Sequence, residues 1–177
     1  MSEFEEMLES AVLRSRGRSF HDFEVGEVVR HHWGRTITEA DAIGFCHLTL
    51  AYNPLYFNRV YAKALGHPDI VVCPQLVLNV VLGLTVEICS EALGGPFLGV
   101  DGVHYLETVY PGDTLTAVST TEAKRESRST RGRGVITWHN EGFNQHGRKV
   151  VEFSRSNLAI WRGRMGEPDR PKEARDG

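Results

Sequence analysis

The segment "CPQLVLNVVLGLTVEICSEALGG", residues 73 to 95, restricts the fold more than any other. Pro74 suits a first helical turn, because an N–H there has no partner inside the helix. Beyond it, apolar residues fall on every side of a helical cylinder up to Leu93, and Gly94-Gly95 end the run. A helix that is apolar all round is a buried helix. With a rise of about 1.5 Å per residue, its expected length is roughly 30 Å, so something must wrap around it. The uncharged stretch that contains it, "IVVCPQLVLNVVLGLTV", falls a little short of a bilayer span and has a proline near its start. No membrane segment is expected.

The second half of the chain supplies the wrapper. "FLGVDGVHYLETVY" (97–110), "TLTAVSTTEAKRES" (114–127), "GVITWHNEGFN" (134–144) and "KVVEFSRSNLAIWR" (149–162) read as long strands, separated by turn signals at "PGD" and "QHGR". "VGEVVRHHWGRTI" (25–37) reads as one more strand. Before the central segment come two shorter helices. Thr38, with Asp41 three residues on, resembles a capping box that starts the first, which runs to Thr49. In the second, Val60, Tyr61, Ala64 and Leu65 recur at helical spacing, and Gly66 stops it. The order predicts a single α+β domain: an antiparallel sheet of about five strands curled round one long buried helix.

Formal net charge is −3, which implies no general attraction to nucleic acid or an anionic membrane. The arginine-rich stretches at 124–134 and in the tail read as a solvated turn and a frayed terminus. Cys46, Cys73 and Cys89 are odd in number and lack CxxC spacing. They read as small buried hydrophobes in a reducing cytoplasm. The first nineteen residues lack the continuous apolar core of a signal peptide and read as a short amphipathic extension. His31 and His32 are adjacent on a strand and face opposite ways, and no histidine pair has metal-ligand spacing. No metal and no cofactor are expected.

Several stretches together resemble one family. "FHDFEVGEVVRHHWGRTITEADAIGF", "NPLYFN", "VYPGDTLTA" and "KRESRSTRGRGVITWHNEGFNQHGRKVVEF" are similar to segments of the MaoC-like dehydratases, or (R)-specific enoyl-CoA hydratases. The last stretch is nearest the mesaconyl-CoA and itaconyl-CoA hydratase branch. The resemblance covers roughly residues 20 to 162 and implies a hot-dog fold, with 1–19 an N-terminal extension and 163–177 a disordered tail. It also implies reversible addition of water to an enoyl thioester of CoA or a carrier protein. In that chemistry an Asp and a His handle the water, and a backbone N–H at the start of the central helix holds the thioester oxygen. Homodimers or higher homo-oligomers are the implied assembly.

The chain departs from the family at the chemistry. Asn53-Pro54-Leu55 match the family's N-P-[IL] core, but Ala51 stands where the Asp belongs and Tyr56 where the His belongs. At the helix start Cys73-Pro74 replace the usual His-Gly pair, so residue 74 has no N–H to give. Asn79 takes the place of a frequent serine. The expected site therefore comprises Tyr56 and Asn53 as catalytic residues, with Tyr52, Pro54, Cys73, Pro74, Gln75, Asn79 and His104 about the substrate. A phenol is a poor base at neutral pH and a fair acid. The expectation is a lyase with a non-standard active site. The alternatives are a silent acyl-binding or partner subunit, and a different reaction such as an isomerisation or cyclisation in the same pocket.

Overall fold

The computed structural model describes residues 18–91, 93–128 and 131–161. The expected amphipathic extension and the tail after residue 162 lie outside them, apart from Arg18 and Ser19. From the N-terminus come strands β1 (Val28–Arg30) and β2 (Arg35–Thr36), then helices α1 (Glu39–Thr49), α2 (Arg59–Ala64), α3 (Pro74–Leu84) and α4 (Val86–Cys89). Four long strands follow: β3 (Gly94–Tyr105), β4 (Thr114–Glu126), β5 (Arg133–Phe143) and β6 (Lys149–Ile160). The sheet order is β1-β4-β5-β6-β3, antiparallel throughout, with β2 also paired to β4. This is the hot-dog arrangement, with α3 as the helix against the inner face.

Residues on β5 and β6 alternate between buried and half-buried, as period-two side chains must when one face meets a helix. Val77, Val80 and Val81 of α3 pack with Leu115, Val151 and Phe153 of the sheet. The approach is close at Gly142 on β5: a Cβ there would meet Val81 Cγ2 at 2.6 Å. A smaller cluster, with Phe23, Leu93 and Trp138, fills the far end.

α1 begins as the capping pattern requires. Asp41 N donates to Thr38 Oγ1 (3.1 Å), and the Asp41 carboxylate accepts from Thr38 N (2.9 Å). In α2 the spacing misleads: Val60 and Leu65 are exposed, and the buried residue is Ala62.

The central helix departs most from expectation. It is not one helix of roughly 30 Å. α3 has eleven residues, about 16 Å. Thr85 closes it, with its hydroxyl and its N–H both donating to Leu82 O. Nor is it buried on all sides, because Gln75, Asn79 and Gly83, one turn apart, form an exposed stripe. Gly94-Gly95 open β3 rather than ending a helix, since a Cβ on Gly95 would lie 2.1 Å from Leu158 O.

The single strand expected over 25–37 is divided into β1 and β2. At the break His31 turns its ring inward, with Nε2 at 2.9 Å from Ser119 Oγ, while His32 stays exposed.

Candidate active site

The loop after α1 is built by its own side chains. Leu50 adopts a left-handed φ of 57° and ends the helix, and Ala51 N donates to Cys46 O. Asn53 Oδ1 accepts from Leu55 N (3.1 Å), which starts the 3-10 turn Pro54–Tyr56. Asn58 Oδ1 then accepts from Tyr61 N and caps α2. The loop is joined to the lead-in of α3 through Val71 N and Leu55 O at 3.0 Å. The next residue is tied to the sheet side by Val72 N donating to Val109 O.

This joining brings Tyr56 against the start of the central helix. Its ring is half-buried and packs on the cluster that contains Cys46 and Cys73. Burial pushes the Tyr56 phenol above its usual range, and the neighbouring Cys73 and Cys46 thiols, whose ionised forms would repel a phenolate, push it further. Cys46 is raised by burial and then by Cys73. Tyr105, on β3, is raised by burial and then by Cys73. Around Tyr56 the titrating neighbours are thiols, and among the described residues no carboxylate or imidazole acts on it. Tyr56, Cys46 and Tyr105, all raised, hold their protons at neutral pH.

At the head of α3, Cys73 Sγ donates to Gln75 Oε1 at 2.8 Å. The first turn of a helix leaves its N–H groups without internal partners. Pro74 has none to offer, so the first that the helix itself presents is that of Gln75. Pro74 borders a hollow of about 190 Å³ with Val77, Tyr105 and Glu107. A larger cavity, about 440 Å³, runs beside the exposed stripe of α3 and is lined by Trp33, Arg35, Phe45, Leu76, Asn79 and Glu87 among others.

The structure thus gathers Tyr56, Cys73, Pro74 and Gln75, with Asn79 just along the helix. Ala51, half-buried, packs on the same cluster. Asn53 and Pro54 shape the loop, and the Asn53 amide oxygen is spent on the turn. Tyr52 is 62% exposed and sets its ring edge-on to His47. His104 does not join the site. It lies opposite Glu152 in the β3–β6 register, and Glu152 lies between buried Val151 and Phe153, so both face outward. Cys46, Tyr105 and Arg35 were not among the expected residues. Cys46 carried a signal, since it lies one helical turn from Ala42, on the buried side of α1.

On the outer face, His139, Glu141 and Glu152 bring their ligand atoms within 4.8 Å of one another. Their spacing in the sequence gave no hint of this, because β6 supplies Glu152 from the neighbouring strand. Lys149 Nζ bridges the two carboxylates, 2.9 Å from Glu152 and closer to Glu141, and so already supplies their counter-charge.

Comparison with known proteins agrees with this architecture. A family model described as mesaconyl-CoA hydratase matches residues 1–175. The chain is 31% identical over 174 residues to a mesaconyl-CoA hydratase of Haloarcula hispanica, covering 94% of this chain and 48% of that protein. It is 33% identical over 140 residues to a β-methylmalyl-CoA dehydratase of Chloroflexus aurantiacus, covering 78% of this chain and 39% of that protein. A solved structure of a MaoC domain protein dehydratase from Chloroflexus aurantiacus superposes with a TM-score of 0.79 at 30% identity, covering 91% of this chain and 44% of that one. The chain spans about half the length, or less, of each of these three.

Proposed function

This chain belongs to the mesaconyl-CoA hydratase family, and from that premise we propose that it serves the reversible hydration of an enoyl thioester of CoA, a hydro-lyase reaction. The observation that carries the reading is the seating of Tyr56 beside the N-terminus of α3, where the family places its proton carrier.

In the hydration direction, water oxygen bonds to the β-carbon, the C=C electrons move toward the thioester oxygen as an enolate, and the α-carbon then takes a proton. Tyr56 keeps its proton at neutral pH, as its raised pKa requires, and is the donor to the α-carbon. The Gln75 N–H, at the positive end of the helix, holds the enolate oxygen. The water needs a base, and the thiols and phenols here supply none. A second hot-dog domain bearing the family's Asp and His supplies it, and the proton it takes from water returns to the Tyr56 phenolate to close the cycle. The twofold length of the relatives supports that arrangement. So does the free edge of β3, where Phe97, Leu98, Tyr105 and Leu106 are exposed. A homodimer through the same edge is the other assembly. Among the described residues no helix is long and apolar enough to cross a membrane, in keeping with a cytoplasmic enzyme.

A second reading, a catalytically silent acyl-binding partner, is favoured by Ala51 and Pro74, which remove one proton carrier and one oxyanion donor. The test follows the conjugated enoyl absorbance of mesaconyl-, itaconyl- and crotonyl-CoA, with the chain alone and mixed with a MaoC-like chain that carries the dyad. The expected result is turnover in the mixture that falls by about 10²–10⁴ in Tyr56→Phe while acyl-CoA binding persists. Turnover untouched by Tyr56→Phe, with binding retained, leaves the silent reading. Binding of no acyl-CoA overturns both.

A further inference from the structure

We propose that Cys46 and Cys73 form a redox pair: hydrogen peroxide joins them in a disulfide that pins the Tyr56 loop to the head of α3, and a thiol reductant releases it. Formation of the bond does not depend on the thioester reading. Cys46 lies in the last turn of α1, and Cys73 is the N-cap of α3. Both are about 1% exposed, and both belong to the buried cluster on which Ala51 and Tyr56 pack. The two thiols lie within side-chain hydrogen-bond reach of each other, and both act on the Tyr56 phenol. The fold, not the sequence spacing, brings them together.

Two thiols in contact can give up two electrons together. One sulfur loses its proton and takes an oxygen from the peroxide, releasing water. The second sulfur loses its own proton and displaces that oxygen as a second water. Two S–H bonds break, one S–S bond forms, and hydrogen peroxide is reduced to water. Burial selects the oxidant: a bulky disulfide does not reach thiols so enclosed, whereas peroxide is near the size of water. The cover is thin. Tyr56 and Ala51 are half-buried, and Pro74, next to Cys73, borders the hollow of about 190 Å³. Cys89 is the control within the chain. It sits in the far-end cluster, 3.9 Å from His31 Nε2, and none of the groups that act on it is a thiol.

The bond changes the site. As a thiol, Cys73 donates to Gln75 Oε1 at 2.8 Å; as a disulfide it has no hydrogen to give. The last turn of α1 becomes covalently fixed to the head of α3, and the loop that carries Tyr56 is closed between them. A cross-link takes freedom chiefly from the open chain, so the seated form gains. In a reducing compartment such a pair rests as thiols and closes only under oxidant.

The experiment exposes the reduced whole chain to hydrogen peroxide, alkylates it and maps it by mass spectrometry. The expected product has lost two hydrogens, with Cys46 linked to Cys73 and Cys89 alkylated. Dithiothreitol returns the reduced mass. Cys46→Ala and Cys73→Ala each abolish the loss of hydrogens, and Cys89→Ala leaves it. Amide exchange over residues 50–58 slows by about tenfold or more in the linked form. A linkage through Cys89, a bond between two copies, or oxygen added to Cys46 or Cys73 without a linkage overturns the proposal. So does no reaction at a peroxide level that oxidises the unfolded chain. Exchange that stays equal or quickens overturns the pinning. If a variant fails to fold, the map of the unaltered chain decides. A linkage that forms in a chain binding no acyl-CoA sinks the thioester reading and leaves this inference standing.

Discussion

The guanidinium carbon of Arg155 lies 5.1 Å from the centre of the Trp138 ring, on the inner face of the sheet, and the residue is 1% exposed. Nε and Nη2 are buried with no hydrogen-bond partner, and among the described residues no carboxylate pairs with it. Burial pulls its pKa down, yet a guanidinium cannot shed its proton in a protein. The stacking on Trp138 offsets only part of the lost hydration. Arg155→Met is therefore expected to raise unfolding stability by about 1–4 kcal/mol, read from urea midpoints. A variant less stable than the parent contradicts this.

His31 gives the fold a pH limit. Ser119 Oγ donates to Asn140 Oδ1 at 2.8 Å, because the Asn140 amide donates its own hydrogen to Trp138 O. Ser119 must then accept from His31 Nε2–H, which leaves the bare Nδ1 buried and unpaired. Burial first, then the Arg155 charge, lowers the His31 pKa from 6.5 to about 4. A depressed folded pKa means the unfolded chain binds the extra proton first. The stability tied to neutral His31 is thus complete above about pH 6.5 and lost as pH falls toward about 4, by at most about 3 kcal/mol. His31→Gln is expected to flatten urea stability across that window. An unchanged slope in the variant assigns the acid loss to other groups.

Gly142 tests the contact between helix and sheet. A Cβ there meets Val81 at 2.6 Å and Val151 at 2.9 Å, whereas one on Gly99 meets nothing within 4 Å. Gly142→Val is expected to cost about 1–3 kcal/mol or more, and Gly99→Ala less than about 0.5. Thermal melts of the two variants side by side decide it, and equal melting temperatures refute the packing.

The three free cysteines are each about 1% exposed. Burial raises the Cys46 and Cys89 thiols above their usual range. Reaction with an aromatic disulfide reagent is expected to be slow in the native protein and to reach all three thiols in denaturant. A thiol that reacts fast under native conditions contradicts this burial.

The thirteen-residue β4 and the capping box at Thr38 were legible because their signals are local: alternation, and one hydroxyl three residues from one carboxylate. The loop at Asn53 was legible for the same reason, since its own amide builds the turn. What the sequence hid was decided elsewhere in space. Thr85 looks like any helix residue until its hydroxyl finds Leu82 O. The stripe of Gln75, Asn79 and Gly83 looks enclosed in the sequence, yet the fold leaves it exposed. His104 could face either way, and the pairing with Glu152 turned it outward. Arg35 lies on β2 and Asp41 in the first turn of α1, so their pairing across the cap follows no single period and was invisible.

Pro74 does more than delete a donor. Along an α-helix each residue advances about 1.5 Å and turns about 100°. Shifting the first available N–H from position 74 to position 75 therefore swings the anchoring point by more than a quarter-turn. It comes to lie over the side of α3 that carries Asn79 and Gly83. One ring closure has thus moved the anchoring N–H round the helix axis without adding or removing a side-chain charge.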